Sequence, residues 1–271
     1  SLGLWGSTMP DMEEMMDKNA RRVYFDLQKS RFKKCLEPNE SCEEPPIRAH
    51  SIQNARVLER LSEDGHVIMP KLSHDSAGIP VVVFDQVGRN LASTFTGLCA
   101  KHDAEIFRPI DEGPVDVHNP EHLFLSAYRS VLQEAHACFE AASKLQSGYI
   151  QRVERGISPG DSPDDAGILA TAWLCNAYDM YCYKRKYDEA FLAKKHEAIR
   201  HIPILFTDTK PSIAVSALIS LDDFEWPNDV ARTVLNLVPI DQGTLVVFSF
   251  LSEEESFVRQ YFQRVLYSSG P

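Results

Sequence analysis

Two pairs of metal-binding side chains restrict the fold of this chain more than any other feature of its sequence. Cys35 and Cys42 form the first pair, and Cys99 and His102 form the second. Thiolate and imidazole ligands in two separated pairs are typical of a structural zinc site, which ties together segments that have little apolar core of their own. We therefore predict a Zn²⁺-binding module with these four residues as its ligands.

The two pairs do not support this prediction equally. Cys99 and His102 form a CxxH pair at a predicted strand-turn-helix junction, which directs both side chains to one ion. Six residues separate Cys35 from Cys42, whereas about two to four are usual. The alternative interpretation is that four ordinary residues fall in one segment by chance, since buried cysteines are common. The three other cysteines lie in helical apolar stretches and are expected in the core: Cys138, Cys175 and Cys182.

Charge and hydropathy restrict the binding partners and the location that we expect for the protein. The net charge of −11 argues against nonspecific coating of nucleic acid by the whole surface, because phosphate neutralisation drives such binding. Residues 18–34 reverse this average, with seven basic residues against one acid and a local net charge of +6 directly before Cys35. No apolar stretch reaches the roughly 20 residues that a membrane-spanning helix needs. We expect no membrane partner, and a cytoplasmic location is the default expectation.

Periodicity predicts the elements of the N-terminal half. Residues 11–34 have apolar side chains at helical spacing, and residues 53–64 predict a short helix that ends at Gly65. The segment IRAHSI alternates as a strand does, and HVIMP with IPVVVFDQV predicts a hairpin. The segment STFTGLCAKHDAEIF then predicts a strand, a turn at Gly97 and a helix that begins near the metal ligands.

The C-terminal half predicts long helices followed by strands, and the fold class of the chain is α+β. A Pro/Gly/Asp-rich run at residues 108–120 is the best boundary between a domain of residues 10–110 and a domain of residues 120–271. Residues 121–156 and the stretch from the loop at 156–165 to about His196 predict a helical hairpin. The tyrosine-rich run YDMYCYKRKYDEAF is interpreted as a packed helix face rather than a base-stacking surface. Strands follow from His201, and a final helix closes the chain.

The order of these features resembles the treble-clef, ββα-metal nucleases of the HNH type. The cysteine pair, the AHSI strand and GLCAKHD at the start of a helix carry the resemblance, which covers residues 33–110 and leaves the C-terminal half unexplained. It implies a small treble-clef ββα module in which Zn²⁺ is structural and His50 is the general base. It also implies that Asp103, on the helix, binds a catalytic Mg²⁺ or Mn²⁺.

One position departs from the pattern of that family. Its middle asparagine, which holds a loop by hydrogen bonds, would fall near Thr94. The stretch from His50 to Cys99 is also longer than the loop of the family, because a helix and a hairpin are inserted. His66 and His74 lie in that insertion, where a lone histidine is more often a surface residue than a metal ligand.

Two functions follow from these features. The first is a metal-dependent endonuclease that hydrolyses phosphodiesters of nucleic acid, with DNA favoured, and that acts by analogy as an effector in a bacterial conflict system. The second is a non-catalytic zinc-stabilised module that binds nucleic acid or protein. The lack of the family's asparagine near Thr94 favours this second function. A third reading, an enzyme with its site in the C-terminal half, has no recognisable catalytic constellation. That half is expected to serve regulation, target sensing, self-association or a protein partner.

Overall fold

The computed structural model describes residues 32–75, 80–207, 212–222, 230–241 and 243–268. The helix predicted at residues 11–34 lies almost entirely outside these ranges, and its last residues, 32–34, are not helical. Contacts divide the chain into two units. One contains residues 34–134 and 184–271, and the other contains residues 135–183 with the chain up to Lys33. The domain boundary predicted at residues 108–120 stays a prediction.

Short strands and one helix surround the predicted metal ligands. Strand β1 (Ala49–His50) is followed by β2 (His66–His74) and β3 (Pro80–Gly88), which pair with each other as the predicted hairpin. Strand β4 (Thr94–Phe95) pairs antiparallel with β1, so that His50 lies opposite Thr94. Helix α1 (Ala100–Asp111) begins directly after Cys99. Two strands and a helix therefore meet where the sequence predicted them.

The short helix predicted at residues 53–64 differs in form. A π-helical turn, Asn54–Leu58, runs into an α-helical turn, Glu59–Leu61. The turn is wide because the Gln53 carbonyl accepts the amides of both Val57 and Leu58, at 3.1 and 3.0 Å. Leu58 packs in a small core with Val67 and Ala92. Burial of this apolar face, rather than local helix propensity, accounts for the shape of the segment.

Two long helices, α2 (Pro120–Glu154) and α3 (Asp165–Leu192), confirm the helices predicted in the middle of the chain. In the unit of residues 135–183, the Asn176 amide donates to Cys138 Sγ at 3.6 Å. Cys138 is buried there, but Cys175 is exposed and Cys182 is half-buried. The prediction that all three lie in the core is therefore wrong for Cys175, because its side of α3 also exposes Leu174 and Tyr178.

The C-terminal part of the tyrosine-rich run of α3 is a packed face, as the sequence indicated, whereas Tyr178 at its start is 69% exposed. Tyr187 is fully buried and stacks on Tyr128 of α2 with the rings 10° from parallel. The Tyr128 hydroxyl donates to Asp188 at 2.6 Å, and Lys184 donates to the same carboxylate at 2.7 Å. A buried carboxylate needs such partners, since an unpaired charge in the core is costly.

The C-terminal strands are β5 (Ile199–Thr207), β6 (Val215–Asp222), β7 (Val230–Ile240) and β8 (Gly243–Leu251). They form one antiparallel sheet in the order β5-β8-β7-β6. Gly243 has φ 144°, and a Cβ there would collide with the carbonyl oxygen of Phe206, so only glycine fits. Helix α4 (Glu255–Ser268) covers the sheet, with Val258 packed against Phe250 and Leu221.

The fold is thus mixed α and β, with helices and antiparallel sheets of two to four strands, which fits the predicted α+β class. Within the described ranges, no helix combines the length and apolarity that crossing a membrane requires.

Candidate metal centre and the cavity beside it

The four predicted zinc ligands lie together. Their ligand atoms are all within 4.8 Å of one another, and no other residue is needed to complete the set. Cys42 Sγ and Cys99 Sγ are 3.8 Å apart, and His102 Nδ1 is 3.6 Å from Cys35 Sγ and 3.3 Å from Cys99 Sγ. With Zn–S about 2.3 Å and Zn–N about 2.0 Å, a tetrahedral zinc ion needs edges of about 3.8 Å between sulfurs and about 3.5 Å between sulfur and nitrogen. The Cys₃His cluster could therefore hold a zinc ion.

Backbone contacts bring the two ligand pairs together. Leu36 donates its amide to the carbonyl of Gly97, and Ile47 donates to the carbonyl of Leu98, each at 2.8 Å. The amide of Cys99 also donates to Cys35 Sγ at 3.2 Å. These bonds lay the first cysteine segment along the turn before α1, so that both pairs face one point.

Glu37 closes the wide loop between Cys35 and Cys42. Its side chain is almost fully buried, and its carboxylate accepts the backbone amides of Asn39 at 2.7 Å, Ser41 at 2.5 Å and Cys42 at 3.1 Å. Burial raises the pKa of this carboxyl, but the amide hydrogen bonds outweigh it and the pKa is lowered. Sequence reasoning missed Glu37. Its only signal was an acid inside an unusually long ligand loop.

The thiols differ in their electrostatic surroundings. Burial raises the pKa of Cys35 to about 12. Burial also raises the pKa of Cys99, but hydrogen bonds from the His102 amide and from the neighbouring thiols outweigh it, and the pKa is lowered. A bound zinc ion deprotonates its thiol ligands outright. The donor set of three sulfurs and one imidazole matches the preference of zinc and is too soft for Mg²⁺.

A cavity of about 310 Å³ lies beside this cluster and contains both residues that the resemblance marked as catalytic. His50 enters it from the end of β1, and Asp103 enters it from the first turn of α1. Three arginines and a second carboxylate also line it: Arg48, Arg56, Arg129 and Asp111. We call this space the His50 cavity.

The ring of His50 is held in one orientation. Its Nδ1 is 2.9 Å from the carbonyl oxygen of Ala92, which can only accept a hydrogen bond. Nδ1 therefore carries the proton, and Nε2 keeps a free lone pair. Burial lowers the pKa of His50; the bond to Ala92 opposes this, and the positive charge of Arg129 lowers the pKa further. The lowered pKa favours the neutral imidazole, which can accept a proton.

Arg129 organises the acidic side of the His50 cavity. Its two terminal nitrogens donate to the two oxygens of Asp111 at 2.9 and 2.7 Å, and its guanidinium lies 4.1 Å from the centre of the Phe107 ring. Burial raises the pKa of Asp103; the charge of Arg129 opposes the rise, and that of Asp111 adds to it. Sequence reasoning missed Arg129 and Asp111. The signal for Arg129 was a lone cation inside the apolar run LFLSAYRSVL.

Thr94 occupies the place of the expected asparagine and makes a local bond. Its hydroxyl donates to the Leu91 carbonyl at 2.8 Å. In the same loop, Asn90 accepts a hydrogen bond from Asn54 at 2.9 Å. An amide pair therefore ties the loop before β4 to the turn after β1, although neither asparagine lies at the predicted position.

Of the two histidines in the insertion, His66 lies outside the His50 cavity. Its side chain is exposed, and its Nδ1 is 2.9 Å from the carbonyl oxygen of Asp64. The side chain of His74 lies outside the described residues.

The chain matches no protein-family model, no curated protein and no solved structure.

Proposed function

We propose that the protein is a metal-dependent endonuclease, in which His50 acts as general base and Asp103 binds the catalytic cation. The observation that carries this proposal is that His50 and Asp103, far apart in sequence, line one cavity next to the Cys₃His cluster. A base and a carboxylate facing one space are the two groups that hydrolysis of a phosphodiester requires of the protein.

The hydrogen bonding of His50 suits a base. A general base must be unprotonated at the working pH and must direct its lone pair towards the attacking water. The Ala92 carbonyl fixes the tautomer, and the lowered pKa favours the neutral ring. His50 would take one proton from water as the water oxygen bonds to phosphorus and the bond from phosphorus to the leaving oxygen breaks.

The acidic and basic side chains of the His50 cavity suit a cation and a phosphate. Asp103 offers hard carboxylate oxygens of the kind that Mg²⁺ and Mn²⁺ prefer, whereas both oxygens of Asp111 bind Arg129. When bound, such a cation supplies charge neutralisation at the scissile phosphate and the leaving oxygen. Arg48 and Arg56 are exposed at the same cavity and would bind phosphate oxygens of the strand.

Cleavage of supercoiled plasmid with Mg²⁺ or Mn²⁺ tests this proposal. We expect His50→Ala to lower the nicking rate by about 100-fold or more, as for loss of a general base. The matched control is His66→Ala, because His66 also bonds a backbone carbonyl through Nδ1 but is exposed outside the cavity. Equal zinc content in all three proteins would show that the module is folded. Absence of cleavage of both DNA and RNA, or full cleavage by His50→Ala, would contradict the proposal.

A second candidate function is non-catalytic binding of nucleic acid by the zinc module. It is favoured by Thr94, whose hydroxyl bonds the Leu91 carbonyl where the nuclease family has an asparagine. In that case labelled DNA or RNA binds the wild type and His50→Ala equally, and neither protein cuts it with any divalent cation. Fluorescence anisotropy at several salt concentrations measures the binding, which should weaken as salt rises.

A further inference from the structure

The hairpin of β2 and β3 exposes an apolar face that has no role in the proposed hydrolysis. Successive residues of a strand point to opposite sides, so every second residue shares a face. The register places three cross-strand pairs on this face: Ile68 with Gln86, Pro70 with Phe84, and Leu72 with Val82. Four of these residues, Ile68, Leu72, Val82 and Phe84, have large apolar side chains and are 66–75% exposed. We call this surface the hairpin face.

The base of the hairpin packs on the rest of its unit through the opposite face. Val67 is buried there against Leu58 and Ala92. The ladder nevertheless continues through nine pairs, well beyond this base. A two-stranded hairpin alone is marginally stable in water, and packing against another layer or strand is what usually supports it. The hairpin face is the side on which such a layer would fit.

The lysine and the aspartate of the two strands point away from the hairpin face. Lys71 and Asp85 lie on the opposite face and pair with each other at 3.2 Å. None of the six described residues that form the hairpin face is charged, so it offers no cation to a phosphate backbone or an anionic membrane. An uncharged apolar face is instead typical of contacts between copies of one chain, whose interfaces are more apolar than those of transient complexes.

The area of the hairpin face is what a small dimer interface requires. Its four large apolar side chains, at 66–75% exposure, present roughly 400 Å² of apolar surface per copy. An apolar patch of this size is often functional. Homodimer interfaces are about 65% apolar, which implies roughly 600 Å² per copy and about 1,200 Å² in the pair. That total is at the lower end of the range for stable, specific interfaces.

The hairpin face is centred on its most exposed apolar side chain. Phe84 is paired with Pro70, and this pair is the middle one of the nine. A two-fold axis through the middle pair would place Phe84 of one copy next to Phe84 of the other. Contacts of this symmetry need a self-complementary surface, because the same patch serves both copies. Binding energy also concentrates on aromatic residues at the centre of an interface.

We propose that the hairpin face binds the same face of a second copy of this chain, in a two-fold symmetric dimer whose hairpins stack on each other. For an interface of this small area, we expect a dissociation constant in about the micromolar range. Below that concentration the chain is a monomer, and Phe84 keeps its 75% exposure. The dimer requires no nuclease activity, so the two proposals stand or fall separately.

Sedimentation velocity of the full chain over a concentration series tests the association. We expect the wild type to pass from monomer to dimer, and Phe84→Asp to weaken the dimer by about 100-fold or more, because two carboxylates then meet at its centre. The control is Tyr178→Asp, since Tyr178 is also an aromatic residue with 69% exposure but lies on α3. A circular dichroism melt would show that each variant is folded. A wild type that is still monomeric at about 100 µM, or equal weakening by both substitutions, would overturn the proposal.

A charge swap tests the two-fold arrangement. Phe84→Lys alone should weaken the dimer as Phe84→Asp does, because like charges meet at the centre. An equimolar mixture of the two variants should associate about tenfold or more tightly than either variant alone, because opposite charges then meet. No gain in the mixture would overturn the proposal. Binding of a monomeric wild type to uncharged phosphatidylcholine vesicles, lost in Phe84→Asp, would overturn it in favour of a lipid surface.

Discussion

The metal module and the four-stranded sheet are stabilised by different means. The Cys₃His cluster joins two short segments through four side chains, with Leu36 and Leu98 buried beside them, and the hairpin of β2 and β3 leaves Phe84 75% exposed. The sheet buries Phe250 completely under α4, and Val258 of α4 is fully buried against it. One region therefore depends on its metal-binding side chains, and the other depends on apolar burial. Each region should respond to a perturbation that the other tolerates.

Removal of the metal should have the largest effect and should be confined to the module. Structural zinc sites contribute about 10–16 kcal/mol of apparent binding energy, which is folding energy for the segments that the ion joins. A chelator, or Cys99→Ser, should therefore abolish hydrogen-exchange protection of the Leu36 and Ile47 amides while the ladder of β5 and β8 stays protected. Cys175→Ser is the control, because Cys175 is exposed and outside the cluster. Unchanged exchange in the metal-free chain would refute the comparison.

Truncation of the sheet core should have the next largest effect. Phe250→Ala should lower the free energy of unfolding by about 3–5 kcal/mol, because it leaves a cavity at a fully buried position. Zinc content, measured by elemental analysis, should not change. Phe84→Ala makes the same substitution at the exposed hairpin and should change stability by less than about 0.5 kcal/mol. Loss of zinc from Phe250→Ala would show that the two regions are not independent.

Weakening the ligand loop should have the smallest effect. Glu37→Gln keeps the size of the side chain but removes the charge that accepts the amides of Asn39, Ser41 and Cys42. We expect a loss of about 1–3 kcal/mol from the module and a zinc affinity lowered by about tenfold, measured by competition with a chromophoric chelator. Glu43→Gln, at the exposed position directly after this loop, should leave the affinity unchanged.

Much of the candidate site could be predicted because its groups are local or follow a known spacing. The CxxH pair sits at the start of one helix, and the strands, long helices and C-terminal sheet follow clear apolar periods. The places of His50 and Asp103 came from the resemblance, and the structure brings both to one cavity.

The remaining features depend on tertiary packing, which no local pattern encodes. Arg129 is buried only because Asp111 and Phe107 of α1 lie against it, and Glu37 is buried only because its loop folds around it. The turn after β1 widens to a π-helical form for the same kind of reason, since Val57 and Leu58 are buried together there. Arg129 and Asp111 are 18 residues apart, whereas the partners of Glu37 lie within five residues of it and only the fold of the loop brings them to its carboxylate.

Helix α1 carries its metal ligand and its cavity carboxylate on consecutive residues. Side chains of neighbouring helical residues point about 100° apart, so His102 faces the cluster while Asp103 faces the His50 cavity. A one-residue insertion or deletion between Cys99 and Asp103 would rotate both side chains away from their places at once. This turn of helix therefore tolerates substitution at its exposed positions, Lys101 among them, but no change of length.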